Sequence, residues 1–269
     1  MNRLPQAVTV SVGYDDLLAL TLPLNLRHFD RVTVVSSPGD ERTHDVVGGV
    51  ADSPAGDRLH LYLTDDFTRF GASFNKGLAL EGVFDTLGRE GWLCYLDADT
   101  LLPDVVDWGG IEAGHLYSAR RRMLADPRHY RPGLDWAALP LAQDIGGVFP
   151  GYFHIWHASD PRLAEPPPPW YDVTLAHAGG GDGFFQSRWP RSHKRHLPFD
   201  VLHLGPRDTN WYGRASPRLD GEKVGGYEAM YRLHRLWRKR RHLAEHERYD
   251  DRVPVPGHSP RPWVHGRDE

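Results

Sequence analysis

Residues 92–96, Trp-Leu-Cys-Tyr-Leu, are apolar without interruption and stop at two aspartates, Asp97 and Asp99, with only Ala98 between them. A short apolar run bounded by a charged turn reads as a buried strand. The segments before it alternate in character. AVTVSVGY (7–14) is a strand rich in β-branched residues. DDLLALTLPLNLRHF (15–29) reads as a helix from about Asp16, capped by the acidic pair and kinked or restarted near Pro23. DRVTVVSS (30–37) is a second strand with PGDERT (38–43) as its turn, and RLHLYLTDD (58–66) is a third. FNKGLALEGVFDTL (74–87) places apolar residues 78, 80, 83, 84 and 87 along one helical side. This order predicts an α/β fold with an open, mostly parallel, twisted sheet flanked by helices.

The second half is less regular. HLYSARRRML (115–124) starts as a strand, GGVFPGYFHIWHA (146–158) includes one, and LPFDVLHLGP (197–206) is a short strand with a turn. AEPPPP (164–169) is a stiff spacer. The longest helical pattern is 227–249, and a Pro-rich tail runs over 250–269. Hydrophobic residues make up 40% of the chain and aromatics 11%, enough for a sizeable core. The net charge of −4 gives no global excess of positive charge for nucleic acid. Cys94, the single cysteine, lies in the apolar run and reads as a small core residue. No window reaches the roughly 20 apolar residues of a membrane span, and the start of the chain lacks a leader-type apolar stretch. The cytoplasm is the expected compartment.

Residues i and i+2 of a strand face the same side, about 6.5–7 Å apart. Carboxylates held that way repel unless a cation lies near them. A hard divalent ion, Mg²⁺ or Mn²⁺, takes oxygen ligands of this kind and also accepts diphosphate oxygens. Asp97 and Asp99 fall where open α/β sheets bind ligands, beyond the carboxyl ends of the strands. The bland alternative is a pair of turn residues with no ligand. Asn75 and Lys76 open the helix at 74–87, and a helix N-terminus with a lysine favours phosphate or a hydroxyl-rich donor. An N-cap for Asn75 and a solvated charge for Lys76 are the structural readings.

The run FNKGLALEGVFDTLGREGWLCYLDADTLLP resembles the nucleotide-sugar glycosyltransferases of GT-A fold, family-2-like members in particular. In these an N-K-G helix start precedes a strand ending in D-x-D. The resemblance implies a metal-dependent transfer of a sugar from a UDP- or GDP-linked donor to an acceptor hydroxyl, with Mn²⁺ or Mg²⁺ held by Asp97, Asp99 and His203 of VLHLGP. It implies base contacts after the first two strands, at Val12, Gly13 and Tyr14 and at Ser36, Ser37 and Asp40. Asp40 would accept a uracil or guanine N–H, or be a solvated turn residue. Arg207 would add a charged contact to the diphosphate. Asp182, in the Gly-rich loop 179–183, resembles the general base; it is also placed to cap the following helix. The family's E-D pair is here Gly181-Asp182, so inversion and retention both stand.

The resemblance implies a single catalytic domain over 1–249. Residues 1–104 form its nucleotide-sugar half, 105–226 its acceptor half, and 227–249 a basic helix. Tyr152, Phe153, Trp156 and Trp170 form either a stacking platform or core. Asp144 is a further acceptor contact. Arg232, Arg235, Arg238, Lys239, Arg240 and Arg241 make either a solvated face or a nucleic-acid surface, the latter suiting an acceptor that is a hydroxymethylated DNA base rather than a glycan. Two other readings are a catalytically silent nucleotide-sugar or nucleic-acid binding module, and a sugar nucleotidyltransferase. SVGYDDLL lacks the basic Gly-rich loop that the latter needs after its first strand.

Overall fold

The computed structural model describes residues 4–142, 149–165, 168–205, 214 and 216–222 of the 269-residue chain. Arg207, Asp144, the 227–249 pattern and the 250–269 tail lie outside the described residues. Among the described residues eight strands form one sheet: β1 (Gln6–Val10), β2 (Arg31–Ser36), β3 (Leu59–Leu63), β4 (Trp92–Asp97), β5 (Thr100–Leu101), β6 (Leu116–Leu124), β7 (Phe153–His157) and β8 (Lys194–Leu204). Their order is β3-β2-β1-β4-β7-β6-β8-β5. The β1–β2, β1–β4, β2–β3 and β6–β8 pairs are parallel; β4–β7, β6–β7 and β5–β8 are antiparallel. This is the mixed α/β architecture expected from the sequence.

Helices cover both faces, which is why the β4 run is apolar at every position. Cys94 and Leu96 pack with Leu18 and Leu22 of α1 (Asp15–Asn25) and Val47 of α2 (Glu41–Ala51). Leu93 and Tyr95 point the other way, against Leu80, Val83 and Phe84 of α3 (Lys76–Leu87). The short helices α4 (Pro161–Ala164) and α5 (Gly181–Gln186) follow. Phe185 of α5 stacks on Tyr171, with ring centroids 4.6 Å apart.

Two local expectations need correction, and one open alternative is decided. The segment after β2 is not just a turn: it contains α2, capped by Asp40, whose side chain accepts from Thr43 N. Gly48, Gly49 and the charged residues around Thr43 and Val47, its only buried positions, hide the helical period. β8 starts at Lys194 rather than near 197, because β6 gives it a long parallel partner. Of the two readings of Tyr152, Phe153, Trp156 and Trp170, core holds: all four are buried.

Glu81 of α3 is 6% exposed. Its Oε1 accepts from Trp170 N (2.8 Å) and Tyr171 N (2.7 Å), and Oε2 accepts from Arg89 Nη2 (2.7 Å). Burial raises its pKa, and these donors oppose the rise. The carboxylate thereby pins the 170–171 segment to α3. No helix among the described residues is long and apolar enough to cross a membrane.

Two outcomes follow. Gly49 lies inside α2 with nothing within 4 Å of an added Cβ. Gly49→Ala is therefore expected to stabilise the fold by about 0.5–1 kcal/mol in urea denaturation. His28 is buried beside Arg27, and burial first, then the neighbouring guanidinium, lowers its pKa to about 4. The unfolded ring takes a proton below its usual 6.5 while the folded ring stays neutral, so stability should fall as pH drops from 6.5 to 4. His28→Gln should make that fall shallower in the same denaturation series.

Candidate functional site

The acidic turn after β4 is built from α1. Thr21 Oγ1 donates to Ala98 O (2.7 Å), Asn25 Nδ2 donates to Thr100 O (2.8 Å), and Asn25 Oδ1 accepts from Leu102 N (2.9 Å). Polar residues on the buried side of α1 thus satisfy a backbone that would otherwise be orphaned beneath the helix. On the far side, Asp97 N donates to Tyr152 O (2.9 Å) and Leu204 N donates to Asp99 O (2.8 Å). The β5–β8 ladder sets Thr100 opposite His203.

The two aspartates meet different surroundings. Asp97 Oδ1 accepts from Lys76 Nζ (3.1 Å) and from Tyr95 Oη (2.5 Å). The Lys76 ammonium also sits 4.3 Å from the centre of the Tyr95 ring. Among the described residues, Asp97 Oδ2 has no donor. Asp99 is 7% exposed; its Oδ2 is 3.6 Å from His203 Nε2, and its Oδ1 has no partner. His203 Nδ1 is likewise buried without a partner among the described residues. Burial raises the Asp99 pKa; the His203 ring opposes this, the Asp97 charge adds to it, and Lys76 lowers it.

Asp97, Asp99 and His203 do not form a ready three-ligand set. No group of three or more His, Cys, Asp or Glu side chains among the described residues is placed to hold a metal. The reason is local: Lys76 and Tyr95 take one oxygen of Asp97, while Asp99 and His203 face each other. The donor chemistry still suits a hard divalent ion, because Asp99 Oδ1 and His203 Nδ1 are buried polar atoms with no other use.

Asp182 lies in the first turn of α5 but does not cap it; the cap is Gly180, in the left-handed region at φ 93°. Its Oδ2 accepts instead from Gly151 N (2.7 Å). A Cβ on Gly151 would lie 2.5 Å from Asp182 Cβ, so only glycine allows this approach. The neighbouring Tyr152 O holds Asp97 N, so the 151–152 turn joins the Asp182 carboxylate to the end of β4. That meeting of two loops left no mark in the sequence.

The other expected contacts are engaged with protein. Asn75 caps α3 through Leu78 N (2.9 Å) and donates to Val173 O (2.8 Å). Asp40 Oδ2 accepts from Gly13 N (2.8 Å), Thr43 Oγ1 (2.7 Å) and Ser36 Oγ (3.4 Å), which ties the loop after β1 to the loop after β2. Asp40 is thus neither a solvated turn residue nor a free acceptor. Val12 packs on the core, and Tyr14 is the residue before α1, with the Arg214 guanidinium 5.2 Å from its ring centre. Arg214 also donates to Gly13 O (3.2 Å) and forks onto Asp16, and Arg218 forks onto Asp15. The acidic pair that the sequence offers as a cap is therefore held by two distant arginines. Only the unusual pairing of adjacent acids at 15–16 hinted at it.

No protein-family profile matches the chain, and no curated protein sequence matches it. Solved structures do. A mannosyltransferase from Pyrobaculum calidifontis, in complex with GDP-Man and Mn²⁺, matches with a TM-score of 0.50 and 17% identity over 95% of this chain and 67% of that one. The inositol-1-phosphate CTP transferase of T. maritima scores 0.46 at 10% identity, over 86% of this chain and 96% of that one. The glycosyltransferase GlyE of Streptococcus pneumoniae TIGR4 scores 0.43 at 12% identity, over 94% and 67%. The first of these likenesses shows a shared fold.

Gly77 completes the N-K-G start of α3: a Cβ there would lie 2.2 Å from Asp172 O. Gly77→Ala should therefore separate α3 from the 172–173 segment and cost about 1–3 kcal/mol in urea denaturation, in contrast to the gain expected at Gly49.

Proposed function

We propose that the chain is a metal-dependent glycosyltransferase that moves a sugar from a nucleotide-diphosphate sugar to an acceptor hydroxyl. One observation carries this reading: Asp99 and His203 are buried against each other at the carboxyl edge of the sheet, each with an unpartnered polar atom, beside the Lys76–Asp97 pair. The GDP-Man and Mn²⁺ of the mannosyltransferase that shares this fold make GDP-mannose the first donor to try, with UDP-sugars second.

In this reading Asp99, His203 and the free oxygen of Asp97 would hold Mn²⁺ or Mg²⁺, which supplies positive charge for the departing diphosphate. Lys76 orients Asp97 through its ammonium. Arg207 adds a second cation to the diphosphate. The loops carrying Val12, Tyr14 and Asp40 flank the base, Asp40 acting by fixing the Gly13 backbone. Asn75 acts by capping α3, which aims Lys76. Asp182, oriented by Gly151 N, takes the proton of the acceptor hydroxyl. The acceptor is a glycan hydroxyl, with a hydroxymethylated DNA base as the second candidate; the anomeric configuration of the product separates inversion from retention.

Donor hydrolysis and transfer should be measured with GDP-mannose and UDP-sugars in Mn²⁺. Asp99→Asn should lower the rate by roughly a hundredfold or more, as loss of several kcal/mol of charge stabilisation requires. Asp182→Asn should lower transfer while leaving Mn²⁺-dependent GDP binding intact. Full activity in Asp99→Asn overturns the reading, and nucleotide binding without turnover on any acceptor replaces it with a silent binding module.

A further inference from the structure

We propose that Arg121 binds an oxyanion of the substrate, a phosphate or a carboxylate, beside the Asp99–His203 pair. The inference rests on the reading of this edge of the sheet as the substrate site, and it adds a residue that reading does not use.

Arg121 is the middle of three consecutive arginines on β6, and the strand treats the three differently. Arg120 Nε donates to Asp200 Oδ1 (3.0 Å), and Arg122 Nε donates to Asp200 Oδ2 (2.7 Å). Both outer charges are thus met by one carboxylate on β8. Alternation along the strand turns Arg121 to the opposite face. There its guanidinium lies 4.7 Å from the centre of the Tyr152 ring. Among the described residues the guanidinium makes no ion pair and no hydrogen bond, although those of Arg120 and Arg122 are matched by Asp200.

The ring beneath it is fixed. Tyr152 is 5% exposed, and its hydroxyl donates to Ala119 O at 2.5 Å. Its carbonyl accepts from Asp97 N, so the ring is anchored to the strand end that carries the acid pair. In the parallel β6–β8 ladder Arg121 lies opposite Val201, and Met123 lies opposite His203. Paired residues in such a ladder face the same side, which puts Arg121 and His203 on one face, two positions apart on adjacent strands. At strand spacings of about 4.8 Å across and 3.3 Å along, their Cα atoms are roughly 8 Å apart. A half-buried guanidinium stacked on an aromatic ring has its stem immobilised and its fork free for two parallel N–H···O bonds to an oxyanion. Such an oxyanion has two sources in the proposed reaction: the diphosphate of the donor, or an acid group on the acceptor.

The test is isothermal titration of the full chain with inorganic pyrophosphate and with inorganic phosphate, in EDTA, so that no metal contributes. Wild type should bind at least one of the two. Arg121→Gln should weaken that binding at least tenfold, and Arg121→Lys should fall between them. Arg120→Gln, whose guanidinium is already used by Asp200, should bind as wild type does. Repeating the titration in Mn²⁺ with saturating GDP or UDP, whichever binds, separates the sources. Loss of the anion heat assigns Arg121 to the donor diphosphate, and its persistence assigns Arg121 to an acid group on the acceptor. Wild type that binds neither anion, or Arg121→Gln that binds as wild type does, overturns the proposal. Failure of both nucleotides to bind counts against the glycosyltransferase reading alone, because the titration in EDTA still decides Arg121.

Discussion

The end of β4 sets the terms for the rest of the molecule. Two carboxylates leave one buried strand within three residues, and the fold neutralises them unequally. Asp97 receives a full positive charge from Lys76 and a hydroxyl from Tyr95. Asp99 goes further into the protein, with the His203 ring 3.6 Å from one carboxylate oxygen and, among the described residues, no partner at the other. A buried acceptor without a donor costs about 1–3 kcal/mol. The surrounding structure is arranged to bear that cost: α1 bonds the turn from one side, and β8 bonds it from the other. The two acids are therefore unequal: one is paired with a cation, and the other keeps a buried oxygen without a partner among the described residues.

The supporting shell shows the same division between fixed and free groups. Asp40 is fully occupied in joining the loops after β1 and β2. Glu81 is occupied in binding the 170–171 segment to α3. Asn75 is a cap and a brace. The polar atoms of these residues are already occupied in holding the fold together. The groups left over (the free oxygen of Asp97, the inner atoms of Asp99 and His203, and the Arg121 guanidinium) line the carboxyl edge, where open α/β sheets present their ligands.

Most of the first half was legible because its periods are clean. The β4 run and the α3 stripe at 78, 80, 83, 84 and 87 each have one dominant spacing. α2 escaped because Gly48 and Gly49 interrupt its period and few of its residues are buried. The Lys76–Asp97 pair could have been read from the two motifs that carry it, but Tyr95 as the third member needed the i, i+2 rule applied backwards along β4. The resemblance, rather than any local pattern, pointed to His203; the β5–β8 ladder explains its position. The Asp182–Gly151 and Asp16–Arg214 contacts join loops with no shared pattern. The aromatic cluster at 152–170 was ambiguous because core and platform have the same composition, and only burial separates them.

The Asp99–His203 meeting has a consequence for how the chain matures during synthesis. The strand that ends in the acid pair leaves the ribosome long before residue 203 does. At about 5–20 residues per second that delay is roughly 5–20 s. Throughout it, the Asp99 carboxylate has no His203 ring to meet. The Asp99–His203 contact therefore forms only once the late strand β8 pairs with β6 and β5.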